Sequence, residues 1–194
     1  MLDIGTEGGE VLTQILHGND CQAVAIEEWH VNAPVAAATL RGRAAVVRAA
    51  WHQLPFCSEV FDVLLSRHTA IAPDEIARVL SQPGRFITQQ VGPDNWPELS
   101  EFFRDRTVYA DHYREYPDRL EALGFSISRY EKYERRGRYT NPAHIAYLLT
   151  ACVWEVPGFS VATHFAALTA LARHMENHDG LVLTYTNYLI DASR

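Results

Sequence analysis

Three groups of polar residues and glycines follow apolar runs in this 194-residue chain, where they could serve a ligand. The first is Asp3 with the glycine-rich segment 5–9, the second is the pair Glu27 and Glu28, and the third is the segment 66–68, which ends in His68. Glycines let the backbone approach a ligand closely, and they leave free amides where a helix begins. An acid about twenty residues after the glycines can accept two ribose hydroxyls. These residues therefore predict a loop that binds a ligand of phosphate or nucleoside type, and a tight strand–helix turn without a ligand is the alternative.

Hydrophobic periodicity indicates the elements that would position these residues. Strands are predicted at 22–28, 44–50, 60–68, 85–91, 125–134 and 181–192. Helices are predicted at 32–43, 73–84, 111–124, 142–153 and 160–180, with Asn32 as a cap and with Pro83 and Gly84 closing the second. Alternating strands and helices predict one α/β domain over residues 1–194, with a mostly parallel sheet covered on both faces. In such sheets ligands bind beyond the carboxyl ends of the strands, where the strand order reverses.

The composition excludes several classes of protein. The net charge of −7 argues against a nucleic-acid partner, and the basic cluster "YERRGRY" (133–139) is predicted to be a solvated hairpin or strand end. Neither an apolar run long enough to cross a membrane nor a secretion signal is evident. The three cysteines are far apart and form no CxxC pair, which favours buried thiols in a reducing cytoplasm over a disulfide framework.

Taken together, the segments resemble the class I S-adenosylmethionine-dependent methyltransferases, specifically the methyltransferase type 11-like group. "LDIGTEGGEVL" resembles their first motif, "AIEEWHVNAPVAAATL" the segment with the ribose acid, and "LPFCSEVFDVLLSRH" the loop and fourth strand. "EIARVLSQPGRFITQQVG" resembles the helix and fifth strand, and "WEVPGFSV" a late signature of one subgroup. The resemblance implies a three-layer Rossmann-like methyltransferase sandwich, with seven strands and an antiparallel final strand.

The resemblance also implies a set of residues around S-adenosylmethionine. They are Asp3, Gly5, Gly9, Glu27, Trp29, Leu54 and Pro55. Asp3 would orient the amino group of the cofactor, and the two glycines would let the backbone pass close to its methionine part. Glu27, rather than Glu28, would bind the ribose hydroxyls, so that Glu27→Ala should weaken cofactor binding at least about tenfold and leave thermal stability nearly unchanged. Leu54 and Pro55 would shape the adenine side, and Trp29 would either wall the adenine or serve ordinary packing.

Three departures from the family pattern stand out. Glu7 occupies the position of the middle glycine, where a carboxylate could repel the carboxylate of the cofactor. Ala49 and Ala50 stand where an acid often receives the adenine amino group. Only residues 1–4 remain for the first strand, with no preceding lid segment, so we expect a start upstream of Met1, in a truncated or mis-started reading frame.

Methyl transfer is an in-line displacement that depends mainly on positioning and on the exclusion of water. His68 is the candidate general base, and a hydrogen-bonded loop histidine is the alternative. We expect no metal site, because His174 and His178 lack a third ligand. The predicted function is methyl transfer from S-adenosylmethionine to a small molecule in the cytoplasm. The alternative is a degenerate fold that binds or interacts without turnover. The oligomeric state and the acceptor cannot be read from the sequence.

Overall fold

A computed structural model describes all residues 1–194 and shows seven strands and six α-helices. The strands are β1 (Leu2–Ile4), β2 (Ala23–Ile26), β3 (Ala44–Val47), β4 (Phe61–Arg67), β5 (Leu80–Val91), β6 (Ser126–Tyr139) and β7 (Leu181–Ser193). The helices are α1 (Glu10–Leu16), α2 (Asn32–Thr39), α3 (Pro73–Val79), α4 (His112–Ala122), α5 (Pro142–Ala151) and α6 (Phe165–Asn177), with a short 3-10 helix at Pro97–Glu101.

The strands form one sheet in the order β3-β2-β1-β4-β5-β7-β6. β1 is parallel to both of its neighbours, with Leu2 opposite Val24 on one side and Leu64 on the other. The strand order reverses between β1 and β4, since β2 and β3 lie on one side of β1 and the later strands on the other. The loops that follow β1 and β4 therefore leave the sheet at its switch point, where ligands bind in open α/β sheets.

The antiparallel direction of β7 follows from its hydrogen bonds. Gly84 and Arg194 exchange backbone hydrogen bonds of 3.2 and 3.0 Å, and the N–H of Gly92 donates to the carbonyl of Thr186 over 2.8 Å. The numbering rises along β5 and its continuation while it falls along β7, which is the antiparallel pattern. The predicted mostly parallel sheet with an antiparallel final strand is confirmed.

The chain folds as two compact units, each with its own core. The first unit comprises Met1–Gln90, Tyr113–Glu131 and Tyr188–Arg194, and the second comprises Val91–His112 and Lys132–Asn187. The centre of the first core consists of fully buried side chains from β1, β4, α3, β5 and β7, namely Leu2, Ile4, Leu64, Ile76, Phe86 and Ile190. The second core is built from Leu99, Phe103, Ile145, Leu149, Leu171 and Leu183. The single-domain organisation stays a prediction.

The predicted helix at 73–84 is wrong beyond Val79. Leu80 adopts an extended conformation and pairs with Phe61 of β4, so β5 begins five residues before the predicted strand at 85–91. Pro83 has no N–H to continue a helix, and the backbone of Gly84 is bonded to Arg194 instead. Pro83 and Gly84 therefore lie inside a strand, and pairing with distant residues outweighs their value as a helix stop.

Three smaller expectations also differ from the structure. α2 has Val31 rather than Asn32 at its N-cap, and α6 begins at Phe165 rather than at 160. Cys21 and Cys57 are exposed, contrary to the predicted burial, although all three cysteines are free thiols. The basic segment 133–139 belongs to the second half of β6, which is largely exposed as predicted. None of the helices has both the length and the apolar character that crossing a membrane requires.

Candidate functional site

A groove of about 240 Å³ lies in the first unit at the carboxyl ends of β1 and β4. It is lined by Asp3, Gly5, Thr6, Val11, Ile15, Leu65, Ser66, Arg67, Ile87, Gln89 and Leu189, and this set of residues is called the groove below. Apolar side chains supply much of the lining, and the polar groups converge from the ends of β1 and β4. This combination is typical of small-molecule sites.

The turn from Gly5 to Gly9, called the glycine turn below, connects β1 to α1. The N–H groups of Gly5 and Thr6 both donate to the carbonyl of Ile26, over 3.0 and 3.1 Å, and so tie the turn to the end of β2. Gly5 has a φ of 73°, and a Cβ there would lie 2.5 Å from Cγ2 of Thr69. Gly9 has a φ of 85°, and its Cβ would lie 2.9 Å from Cγ of Leu40. Both glycines are therefore required by the packing of the protein itself.

Glu27 is buried at the end of β2 and holds two backbone amides. Its Oε2 accepts a hydrogen bond of 2.8 Å from the N–H of Glu7, and its Oε1 accepts one of 2.8 Å from the N–H of Trp29. The side chain is 7% exposed, whereas that of Glu28 is exposed. A carboxylate can accept about four hydrogen bonds, so Glu27 keeps acceptor capacity beyond these two.

Asp3 and Thr6 bring further polar atoms to the groove. Burial raises the pKa of the Asp3 carboxyl above its usual range, the Thr6 hydroxyl and the Arg67 guanidinium partly offset this, and the carboxylates of Glu7 and Glu27 add to it. Although Thr6 Oγ1 lies near Asp3, it is buried with no partner in hydrogen-bond geometry. A buried hydroxyl of this kind is rare in native structures, and a polar ligand would satisfy it.

Glu7 adopts the left-handed backbone conformation, with a φ of 55°, at the position where the family pattern has a glycine. Its half-exposed side chain forms an ion pair of 3.4 Å between Oε2 and the NH2 of Arg67. Arg67 ends β4 and lines the groove. The carboxylate that replaces the middle glycine is thus partly neutralised by an arginine from the neighbouring strand.

His68 directly follows β4 but is not part of the lining of the groove. Its φ is 55°, and its backbone N–H donates to the carbonyl of Gln89 over 2.9 Å. The imidazole remains accessible to solvent on one side. Burial of the rest of the ring, together with the positive charge of Arg67, lowers the pKa of His68 to about 4. The side chain is therefore neutral at pH 7.

The remaining predicted residues lie outside the lining of the groove. Trp29 is 48% exposed, and its backbone N–H donates to the carboxylate of Glu27. The side chain of Leu54 packs in the first core, and its N–H donates to Oε2 of Glu75 over 2.7 Å. Pro55 is exposed. Of the seven predicted cofactor residues, Asp3 and Gly5 line the groove, and Glu27 is joined to the glycine turn.

Thr6 and Arg67 are polar groove residues to which sequence reasoning assigned no individual role. The only signal for Arg67 was its place at the end of a central apolar strand, within the segment 66–68. Gln90 anchors the loop after β4. Its buried side-chain amide donates to the carbonyl of Thr69 and to Oγ1 of Thr88, each over 2.8 Å. These hydrogen bonds fix the loop against which Gly5 packs.

The chemistry of these residues fits S-adenosylmethionine. The ligand carries a sulfonium, an ammonium, a carboxylate and two ribose hydroxyls. Asp3 and Glu27 are complementary to the positive groups and to the hydroxyls, and Thr6 Oγ1 offers an unsatisfied hydroxyl within the groove. Gly5 lets the backbone run close beside this space.

Comparisons with known proteins place the fold. No family model matches the chain, and no curated protein matches it. Among solved structures, a candidate methyltransferase from Bacillus halodurans C-125 superposes with a TM-score of 0.70 at 16% identity, over 99% of this chain and 90% of that one. The [4+2]-cyclase SpnF gives 0.63 at 19% identity, over 100% of this chain and 74% of that one.

A third solved structure contains ligands. It is the geranyl diphosphate C-methyltransferase from Streptomyces coelicolor A3(2), in complex with Mg2+, geranyl diphosphate and S-adenosylhomocysteine. It superposes with a TM-score of 0.57 at 15% identity, over 100% of this chain and 72% of that one. At these identities the likeness establishes the fold, and the chain has the Rossmann-like fold of the class I methyltransferases.

Proposed function

We propose that this protein binds S-adenosylmethionine in the groove and transfers its methyl group to a small-molecule acceptor. The observation that carries the proposal is the buried carboxylate of Glu27, which lies at the end of β2 and accepts a hydrogen bond from the glycine turn. The glycine turn, the acid at the end of β2 and the groove occur together in a fold whose solved representatives include methyltransferases. The site residues of this chain remain part of the proposal.

The residues have distinct tasks in this proposal. S-adenosylmethionine supplies, when bound, a methyl group on a positively charged sulfur. Glu27 binds the two ribose hydroxyls, and the glycine turn and Asp3 orient the amino-acid part. The apolar side chains of Val11, Ile15 and Leu65 exclude water from the groove. Positioning of this kind accounts for most of the rate of an in-line displacement.

His68 has a limited part in this chemistry. A pKa of about 4 leaves the imidazole neutral at pH 7 but weakly basic. We propose that it takes a proton only from an acceptor atom that becomes acidic as it is methylated. Gln89, which lines the groove, is proposed to contact the acceptor.

The partners and compartment follow the same proposal. The net charge of −7 supports a small-molecule substrate rather than a nucleic acid. The three free thiols support function in the reducing cytoplasm.

The test measures the binding of S-adenosylhomocysteine by calorimetry to the wild type, Glu27→Ala and Glu28→Ala. We expect Glu27→Ala to weaken binding at least about tenfold, because charge-assisted hydrogen bonds are each worth roughly 1.5–3 kcal/mol. Glu28→Ala, the matched control, should change it little, since that side chain is exposed. A larger loss in Glu28→Ala, or no binding by the wild type, would overturn the proposal.

The structure changes the expected effect of Glu27→Ala on stability. Removal of the carboxylate deprives the N–H groups of Glu7 and Trp29 of their acceptor. An unsatisfied buried donor costs about 1–3 kcal/mol, so the free energy of unfolding should fall by roughly this amount. The near-constant thermal stability expected from the sequence would hold only if water replaced the carboxylate.

The rival function is a methyltransferase fold that binds a ligand without methyl transfer. Glu7, with its left-handed backbone and its carboxylate at the groove, favours this rival. The [4+2]-cyclase SpnF has a related fold, which shows that the fold also serves other reactions. Failure of the wild type to bind S-adenosylhomocysteine would favour the rival even if Glu7→Gly binds it, whereas binding by the wild type would favour the methyltransferase.

A further inference from the structure

The charges around the groove are unbalanced. Its lining contains a single cationic side chain, that of Arg67, together with the carboxyl of Asp3. The carboxyls of Glu7 and Glu27 adjoin the glycine turn at the same end of the sheet. Acidic groups therefore outnumber the cation here, and an anionic group of a ligand has only the Arg67 guanidinium as a charged partner.

Arg67 is already engaged by a carboxylate of the chain. The Oε2 of Glu7 lies 3.4 Å from its NH2, and the two side chains are 51% and 34% exposed, respectively. Glu7 reaches this position from a left-handed backbone conformation, which is strained for a non-glycine residue. The pair thus joins a locally strained residue of the glycine turn to the only cation of the groove.

We infer that Arg67 receives the carboxylate of the amino-acid part of the cofactor and that Glu7 competes with it as an internal carboxylate. This inference rests on the proposed function. Binding of the cofactor would exchange one carboxylate for another on the same guanidinium, with Glu7 turning outward into solvent. Glu7 would then set how tightly the cofactor is held rather than whether it is recognised.

The geometry allows this exchange at low cost. A single contact of 3.4 Å between half-exposed groups is a weak ion pair, because solvent screens it. Glu27 presents the opposite case, since it is buried and both of its oxygens hold backbone amides. Of the two glutamates, only Glu7 can leave its partner without exposing an unsatisfied buried group.

The competition concerns one part of the cofactor only. In a ligand with the amino-acid part, the carboxylate is attracted by Arg67 and repelled by Glu7. A ligand that retains the nucleoside but lacks the amino-acid part should experience neither interaction. Two ligands, S-adenosylhomocysteine and 5′-methylthioadenosine, therefore separate this effect from recognition of the nucleoside.

The experiment measures the affinity of both ligands by calorimetry for the wild type, Glu7→Gln, Arg67→Gln and the double variant. We expect Glu7→Gln to bind S-adenosylhomocysteine about threefold to tenfold more tightly, and Arg67→Gln to bind it about tenfold less tightly. The affinity for 5′-methylthioadenosine should stay the same within about twofold in every variant. In the Arg67→Gln background, Glu7→Gln should lose most of its effect, because the two residues act through one contact.

Glu10→Gln is the matched control. Glu10 begins α1, is exposed, and carries the same charge without pairing with Arg67. An equal gain in Glu10→Gln would assign the effect to net charge and overturn the inference. So would a weaker affinity in Glu7→Gln, or equal changes for both ligands. If no variant binds either ligand, the proposed function itself fails, and this inference fails with it.

Discussion

Arg106 and Glu155 form a buried ion pair in the second unit, whereas Asp3 and Glu27 are acids withdrawn from solvent in the first. The ion pair is nearly inaccessible, with side chains 8% and 5% exposed. Nε of Arg106 donates to Oε2 of Glu155 over 3.1 Å, and its NH2 donates to the carbonyl of Asn95. The hydroxyl of Tyr109 donates to the other oxygen of Glu155 over 3.2 Å. Each of the two charges is thus paired and hydrogen-bonded within the protein.

The acids of the first unit are only partly paired by groups of the protein. Glu27 has two backbone donors but no cation, and burial raises the pKa of Asp3. The Thr6 hydroxyl lacks a partner, Asp3 and Thr6 line the groove, and Glu27 accepts a hydrogen bond from the glycine turn. Buried polar groups that are fully paired serve stability, whereas perturbed, incompletely paired groups beside a groove are typical of binding sites. This comparison supports the proposal that the acids of the first unit, rather than Glu155, belong to a binding site.

Breaking the ion pair should have the largest effect. Arg106→Met leaves the carboxylate of Glu155 buried without its cation, so we expect the free energy of unfolding to fall by about 3–5 kcal/mol. Urea unfolding at pH 7 measures this loss. Arg129→Met removes the cation of an exposed pair with Glu131 and is the control, with little or no loss expected because solvent screens that pair. Similar losses in the two variants would show that the buried pair is not a stabilising unit.

Asp3→Asn should change the free energy of unfolding in the opposite direction and raise it. The raised pKa means that ionisation of Asp3 costs stability, which falls as the pH rises from the usual carboxyl range through that pKa and stays lower above it. The neutral amide should therefore raise the free energy of unfolding by roughly 0.5–2 kcal/mol, while the affinity for S-adenosylhomocysteine falls. Urea unfolding at pH 7 and calorimetry measure the two effects.

The control for this substitution is Asp20→Asn, which neutralises an exposed aspartate before β2. Neither its stability nor its affinity should change noticeably. If Asp3→Asn instead destabilises the protein, the carboxylate is satisfied by its surroundings. Asp3 would then be an acid that stabilises the fold, like Glu155, rather than part of a binding site.

The same comparison shows what the sequence could predict. Periodicity located six of the seven strands, all except the short β1, because burial against helices on both faces leaves continuous apolar runs such as 60–68. It failed at Leu80–Gly84, where pairing with Phe61 and Arg194 depends on residues distant in the chain. Local patterns carry no information about such partners.

For the site, type and spacing placed Asp3 and Gly5 at the groove, since both follow a central strand. They did not find Thr6 or Arg67, whose importance depends on which neighbours each side chain meets in space. Leu54 was predicted beside the adenine, yet its side chain belongs to the first core. An apolar residue in a loop can serve either role, and the sequence does not distinguish them.

His68→Asn should have the smallest effect, and it tests whether His68 resembles the withdrawn acids or an ordinary surface residue. Asparagine tolerates the left-handed backbone of this position, so little strain is introduced. The pKa of His68 is about 4 in the folded protein and about 6.5 when unfolded, so the unfolded state binds more protons between these values. Stability should therefore fall as the pH drops from about 6.5 to 4. In the variant, stability should fall by less over the same range.

Because solvent reaches one side of the ring, the difference should stay below about 1 kcal/mol. It is measured as the change in melting temperature between pH 7 and pH 4.5 in the wild type and in the variant. The control is His17→Asn at the end of α1, which replaces an exposed histidine and should reproduce the wild-type profile. Superimposable profiles for all three proteins would show that the imidazole of His68 is hydrated like that of a surface residue. The low pKa that limits the proposed role of His68 as a base would then be contradicted.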